Sequence, residues 1–195
     1  MTDALDATLV STLWPARRSA WLARDGALVL SGALVLALSA KVQVPFYPVP
    51  MTLQSLAILV LAAAYGARLG AAAVALYLVE GLLGAPVFAG AVAGPLYMAG
   101  PTGGYLAGFL AAAALIGFLA DRGWDRSLPR LLAAMTIGHA VIFALGFAWL
   151  ATLVGPDKAF TLGVAPFALA TIVKTLLATA LVTAAWGAIT QLRNV

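Results

Sequence analysis

Apolar residues in this chain form long runs that end at charged residues or at Gly and Pro, and they do not alternate with polar residues. Runs of this length are typical of helices that lie in a membrane. They predict an all-α integral membrane protein with six transmembrane helices. The predicted helices cover residues 26–41, 53–67, 69–85, 105–120, 130–154 and 162–190. Residues 1–25 are predicted to be a cytoplasmic N-terminal tail, and residues 26–195 a single transmembrane domain.

The composition supports a membrane protein. Of the 195 residues, 64% are hydrophobic and 9% are charged, and the mean hydropathy is +1.04. A soluble domain carries about 25% charged residues. The chain has no cysteine, so neither a disulfide nor a thiolate metal site is expected, and no cofactor is predicted. Its net charge of +4 includes no basic run of the kind that nucleic acid binding requires.

Lys and Arg are distributed unevenly between the two predicted sides of the membrane. With the N-terminus inside, eight basic residues lie on the inner side and two, Lys41 and Lys158, on the outer side. The eight are Arg17, Arg18, Arg24, Arg68, Arg122, Arg126, Arg130 and Arg193. Because basic residues collect on the cytoplasmic side, both termini are predicted to be cytoplasmic.

The segment 84–104 is rich in Gly and Pro and carries no charge. Gly and Pro interrupt helices, and irregular backbone at membrane depth is tolerated only where protein covers it or where it lines a cavity. The orientation places this segment on the outer side, together with residues 42–54 and 155–160. Three irregular segments on one face predict a pocket that opens outward.

Three polar side chains lie inside or beside the predicted helices. Lys174 is predicted to lie about 15 Å along the sixth helix, where a charge is costly, so it is expected to contact a ligand or a partner in a cavity, or else to be structural. Glu80 is a candidate counter-charge for Lys174, a ligand acceptor, or a protonated structural carboxyl. Gln54 is expected to contact the cavity or to cap the Pro-rich loop that precedes it.

No group of residues predicts catalysis. The single histidine, His139, has no acidic neighbours that could complete a metal site, and a hydrogen bond between helices is its expected role. No nucleophile–base pair and no phosphate-binding lysine motif occur in the sequence. The chain is therefore not predicted to be an enzyme.

Five blocks of the sequence resemble the BioY family, the biotin-specific substrate-binding (S) components of energy-coupling factor transporters. The pair GAPVFAG and GPTGGYLAGF, within residues 84–109, is the most specific part of the resemblance. The five blocks cover residues 44–60, 66–90, 100–113, 137–151 and 166–178. This resemblance implies a six-helix bundle in the bacterial inner membrane that captures biotin from outside, surrounded by membrane lipid.

The resemblance also implies a partner, a module of one transmembrane coupling protein and two ATPases. In that family a small-residue pattern on the first helix faces the coupling protein, which indicates Ala33 and Ala37 as interface residues. The family usually has an acidic residue three positions before its lysine, whereas this chain has Thr171 there. Glu80 is the hypothesised source of the missing charge.

The biotin hypothesis assigns ten residues to the substrate site. Biotin has an apolar ring, a ureido group and a carboxylate, so its pocket needs apolar walls, a cation and hydrogen-bond partners. Two poses stay open, with either the ureido group or the carboxylate at Lys174. The predicted site residues are Lys174, Glu80, Gln54, Thr171, Phe88, Tyr97, Tyr105, Met51, Gly90 and Gly103. The alternatives are an S component for another vitamin and a small membrane enzyme.

Overall fold

The protein is an all-helical bundle with one short hairpin. The structure, a computed structural model, describes residues 8–15 and 21–193. Its helices are α1 (Leu9–Leu13), α2 (Trp21–Lys41), α3 (Gln54–Leu82), α4 (Pro95–Ala99), α5 (Gly103–Ala120), α6 (Leu128–Val154), α7 (Pro156–Gly163) and α8 (Ala168–Arg193). Two 3₁₀ turns, Trp124–Arg126 and Ala165–Phe167, precede α6 and α8. Strands β1 (Gln43–Val44) and β2 (Met51–Thr52) pair antiparallel between α2 and α3.

Five helical stretches among the described residues are long and apolar enough to cross a membrane. They are Trp21–Lys41, Gln54–Leu82, Gly103–Ala120, Leu128–Val154 and Pro156–Leu192. The orientation prediction also depends on Arg17 and Arg18, which lie outside the described residues, as do residues 1–7 of the predicted tail.

Helix α3 reverses its direction at Gly66, whose backbone is not helical (φ 79°, ψ 177°). A Cβ on Gly70 would lie 3.0 Å from the Cα of Ala62, although eight residues of straight helix would separate these positions by ~12 Å. The Asp121 carboxylate, at the end of α5, accepts a hydrogen bond from the Ala67 amide at 3.0 Å. That amide follows the break and has no helical partner, so Asp121 stabilises the turn.

The bundle core forms where α3 packs between α2 and α5, and α5 packs on α6. Helix α8 lies against α3 and α6 and leaves much of its apolar surface exposed, as at Leu169, Ile172 and Leu176. Leu9 of α1, from the predicted tail, is 4% exposed and belongs to the core.

Three predictions of where elements begin and end were wrong. The first helix begins at Trp21, five residues before the predicted start. The sixth was predicted over 162–190, but α7 ends at Gly163 and α8 begins only at Ala168. Of the connection predicted at 155–160, only Gly155 is non-helical, and residues 156–160 belong to helix α7. Pro156 and Asp157 both favour the first turn of a helix.

Candidate functional site

A cavity lies at one end of the bundle. The β-hairpin and the Gly/Pro segment meet helices α3, α5, α6 and α8 there. The cavity is narrow, with a volume of about 60 Å³. Apolar and aromatic side chains form most of its wall, and a few polar groups point inward. The lining residues are Val49, Pro50, Thr52, Gln54, Ser55, Ala89, Tyr97, Thr102, Tyr105, Leu106, Phe109, Ile142, Phe143, Phe167, Ala170, Thr171 and Lys174.

The side chain of Lys174, a residue of α8, reaches the start of α3 and is partly buried. Its ammonium donates hydrogen bonds to the carbonyl of Thr52 at 2.6 Å and to the hydroxyl of Ser55 at 3.3 Å. Because α8 begins at Ala168, Lys174 lies six residues, or ~9 Å, along its helix. Its depth in the membrane stays a prediction. No carboxylate pairs with this ammonium in the part of the chain that the structure describes, so an acceptor on a ligand would meet an unneutralised cation.

Gln54 is 3% exposed and has both ends of its side-chain amide hydrogen-bonded. Its Nε2 donates to the hydroxyl of Tyr77 at 2.7 Å, and its Oε1 accepts from the hydroxyl of Thr52 at 3.1 Å. Gln54 therefore lines the cavity and at the same time holds the end of the hairpin against α3, which combines the two roles considered from the sequence.

An aromatic stack forms one side of the cavity. Tyr97 lines it and lies parallel to Phe88, with ring centroids 4.8 Å apart. Phe88 is completely buried behind Tyr97 and meets Tyr77 edge-on at 5.5 Å. Burial raises the pKa of the Tyr97 hydroxyl above its ordinary value, so Tyr97 offers the cavity a protonated hydroxyl.

Tyr105 also lines the cavity. Its hydroxyl donates to the carbonyl of Gly163 at 2.7 Å, which joins α5 to the end of α7. Its ring meets Phe143 edge-on, and Phe143 in turn lies 5.9 Å from Phe167. These rings give the cavity a large apolar surface of fixed shape.

Five of the ten predicted site residues line the cavity: Lys174, Gln54, Thr171, Tyr97 and Tyr105. The others lie outside the lining and occupy different positions. Phe88 supports Tyr97, and Gly90 lines a neighbouring groove between the two irregular segments. Met51 lies in β2 and packs on the core, Gly103 starts α5, and Glu80 is partly exposed near the end of α3.

Several lining residues were not predicted. Thr52 and Ser55 flank Gln54 and carry hydroxyls at a helix start, a signal that the sequence did contain. Phe143, Phe167 and Thr102 come from three separate elements. Only the packing of those elements brings them together, and no local pattern marks them.

The structure places Ala33 and Ala37 on the side of α2 that faces the bundle. Ala33 is 1% exposed, and Ala37 is partly buried against the core. The exposed face of α2 instead carries Leu30, Leu34 and Leu38. The proposed contact of the two alanines with a partner stays a prediction.

The hydrogen bond between helices that was expected of His139 is confirmed. His139 is 2% exposed, and its Nδ1 lies 2.8 Å from the hydroxyl of Thr175, which joins α6 to α8.

The fold and the cavity define a multi-pass helical membrane protein with a mostly apolar pocket. Among the described residues, one cationic side chain, Lys174, lines this pocket, and no carboxylate pairs with it. The BioY family model matches residues 8–191. The chain belongs to the BioY family, as the resemblance indicated.

Relatives and a solved structure agree with this assignment. The "Probable biotin transporter BioY" of Pyrococcus horikoshii is 38% identical over 78% of this chain and 90% of its own length. The "Biotin transporter BioY" of Thermotoga maritima is 37% identical over 74% and 85%. The crystal structure of an S-component for biotin from an ECF-type ABC transporter matches with a TM-score of 0.71 over 86% of this chain and 93% of its own, at 22% identity. At that identity the match shows the fold.

Proposed function

We propose that this chain binds biotin at the membrane and mediates its uptake as the S component of an energy-coupling factor transporter. The observation that carries the proposal is the cationic Lys174 in a mostly apolar and aromatic pocket, in a chain whose relatives are named biotin transporters. Such a pocket, with few convergent polar groups, suits a small amphipathic ligand.

The polar groups of the pocket match the ureido group of biotin. The Lys174 ammonium would donate to the ureido oxygen after exchanging its bond to the Thr52 carbonyl. The freed carbonyl and the hydroxyl of Thr171 would accept from the ureido N–H groups. The valerate carboxylate would then lie towards the groove beside Gly90 and Thr102. Biotin would have to widen the narrow cavity, most simply by moving the hairpin or the Gly/Pro segment.

Binding of biotin to the purified protein tests the function. We expect saturable binding that other vitamins do not displace, and at least tenfold weaker binding by Lys174→Ala, since a lost charge-assisted hydrogen bond costs about 1.5–3 kcal/mol. Lys158→Ala, which removes an exposed lysine of α7, is the matched control. Absence of saturable binding to the wild type would contradict the function. Full affinity of Lys174→Ala would contradict only the site.

Biotin methyl ester separates the two poses. If Lys174 binds the ureido group, the ester should bind nearly as tightly as biotin. A large loss of affinity with the ester, absent in Lys174→Ala, would instead assign the carboxylate to Lys174. Glu80→Gln tests whether Glu80 supplies the negative charge that Thr171 lacks. If it does, this variant should bind biotin more weakly than the wild type.

We also propose that the chain crosses the bacterial inner membrane six times, with both termini in the cytoplasm. The reversal of α3 at Gly66 supports the count, because residues 54–65 and 67–82 would then be separate spans. The surplus of Lys and Arg on one side supports the orientation.

The proposed partner is a module of one transmembrane coupling protein and two ATPases, with helix α2 as the contact. Ala33 and Ala37 stay candidates for this interface, and a shift of α2 would be needed to expose them. The adjacent exposed leucines of α2 offer an apolar surface without such a shift. In this role the protein binds and passes on its substrate, and it acts as a carrier component with no chemistry of its own.

A further inference from the structure

Lys41, the last residue of α2, reaches across to the Gly/Pro segment. Its ammonium donates to the carbonyl of Phe88 at 2.7 Å and to that of Gly90 at 3.0 Å. A lysine at a helix C-terminus usually bonds the last carbonyls of its own helix or reaches water. Here it bonds two carbonyls that are 47 and 49 residues away. The Lys41 side chain is exposed, yet its ammonium bonds these two carbonyls of a distant segment.

The segment that Lys41 contacts has few other hydrogen bonds. In the part of the chain that the structure describes, the backbone of residues 88–93 makes no hydrogen bond except the two to Lys41. The next backbone bond on the C-terminal side runs from the Gly94 amide to the Gly81 carbonyl at 2.8 Å. Gly90 has a positive φ of 79°, a conformation that glycine adopts without strain.

The same short segment forms part of the cavity wall. Ala89 is 7% exposed and lines the cavity, and it lies between the two residues whose carbonyls Lys41 binds. The ring of Phe88 supports Tyr97 from behind. A shift of the Phe88–Gly90 backbone would therefore move Ala89 directly and Tyr97 through the stacked rings.

We infer that Lys41 is a positioning residue for the ligand pocket: its ammonium holds the 88–90 backbone in the conformation in which Ala89 and Tyr97 form the wall. The expected effect of Lys41 on biotin release rests on the proposed function. Its expected effect on the 88–90 backbone does not. It also connects the wall to α2, the helix that we propose contacts the coupling protein.

Cysteine labelling tests the effect on the segment without any ligand. The chain has no native cysteine, so Ala89→Cys introduces a single buried thiol whose reaction with a polar maleimide reports exposure of the wall. Lys41→Met in this background should raise the labelling rate about tenfold, the equivalent of losing a net ~1.4 kcal/mol of charge-assisted hydrogen bonding. Lys41→Arg keeps a cation with several donors and should label at nearly the original rate.

Biotin dissociation from chains that keep Ala89 is the second readout. Lys41→Met should release biotin about tenfold faster, while Lys158→Met should change neither readout. A thermal unfolding curve for each variant, including Lys41→Gln, separates a local effect on the wall from misfolding. Unchanged labelling in Lys41→Met, equal changes in Lys158→Met, or failure of Lys41→Arg to restore slow labelling would each overturn the inference. If the wild type does not bind biotin, the proposed function fails, and the labelling result still decides the role of Lys41.

Discussion

At the scale of single residues, the cavity depends on side chains that do not touch its interior. Phe88 is completely buried, yet it supports Tyr97 from behind. It fits there because Gly81 has no side chain: a Cβ on Gly81 would overlap the Phe88 ring. Tyr77 completes this layer by accepting the hydrogen bond of Gln54.

Replacing Gly81 with alanine should displace the Phe88 ring. Overpacking of this kind typically costs about 1–3 kcal/mol, so the melting temperature in detergent should fall and biotin should bind more weakly. Gly187→Ala is the matched control, because a Cβ there meets no atom within 4 Å, and its melting temperature should stay the same or rise slightly. Equal melting temperatures for the two variants would contradict the packing role of Gly81.

Tyr77→Phe should destabilise the protein by about 1–3 kcal/mol, because it leaves the buried Nε2 of Gln54 without an acceptor. Tyr65→Phe offers a comparison within α3, since the Tyr65 hydroxyl makes one exposed 3.3 Å contact with Ser31. We expect the second change to shift the unfolding midpoint far less than the first. Similar shifts for both variants would mean that the Gln54–Tyr77 bond carries little stability.

At the scale of elements, α3 decides the architecture because it reverses in the middle. The reversal needs a positive φ at Gly66, a close approach to Asp121, and an acceptor for the Ala67 amide. Gly66 and Asp121 lie on different elements that are 55 positions apart in the chain. The turn is therefore a property of the packed α3–α5 pair.

Gly66→Ala should be strongly destabilising. At φ 79° and ψ 177° a non-glycine residue costs roughly 1–3 kcal/mol, and the Cβ would also overlap the Asp121 carboxylate. Gly84→Ala should have the cost of a positive φ but no steric overlap, since Gly84 has φ 95° and no atom within 4 Å of an added Cβ. Melting temperature should therefore rank wild type, Gly84→Ala, Gly66→Ala in descending order, and the reverse order of the two variants would contradict this account of the turn.

At the scale of the whole molecule, the irregular segments collect at one end of the bundle. The ring of Phe46, in the loop between β1 and β2, lies 5.9 Å from that of Phe167 before α8, and the same loop borders the Gly/Pro segment along a groove. This end also holds the cavity. The opposite end holds the Gly66 turn, the Asp121 contact, and a second polar contact in which Trp186 donates to Asp125 at 2.8 Å.

Single cysteines test the proposed topology. Six crossings with cytoplasmic termini place Tyr47→Cys and Lys158→Cys outside and Ser127→Cys inside. A membrane-impermeant maleimide should then label the first two in intact cells and the third only after permeabilisation. If α3 crossed once without reversing, Tyr47 and Lys158 would lie on opposite sides. Labelling of only one of these two in intact cells would exclude six crossings.

The sequence by itself determined the class of the protein and supplied candidate residues for its site. The long apolar runs and the scarcity of charge require a lipid environment for most of the surface, and the helices follow because the backbone must satisfy its own hydrogen bonds there. Lys174 and Gln54 were selected as candidates because polar groups stand out in such a chain, and Thr171 because it occupies the position of the acidic residue in the family that the sequence resembles. The Gly/Pro segment stood out because its glycines and prolines interrupt helices, although Pro95–Ala99 within it forms the short helix α4.

Only the tertiary structure decided which of these features meet. Lys174 contacts Thr52 and Ser55, Phe143 and Phe167 complete the wall, and Lys41 reaches Phe88 and Gly90, all through contacts between residues distant in the sequence. The lining excludes Glu80 and Phe88, and Ala33 faces inward. The physical reason is that hydropathy records how much a residue avoids water. In a chain this uniformly apolar, it does not distinguish a side chain that faces lipid from one that faces a neighbouring helix or a ligand.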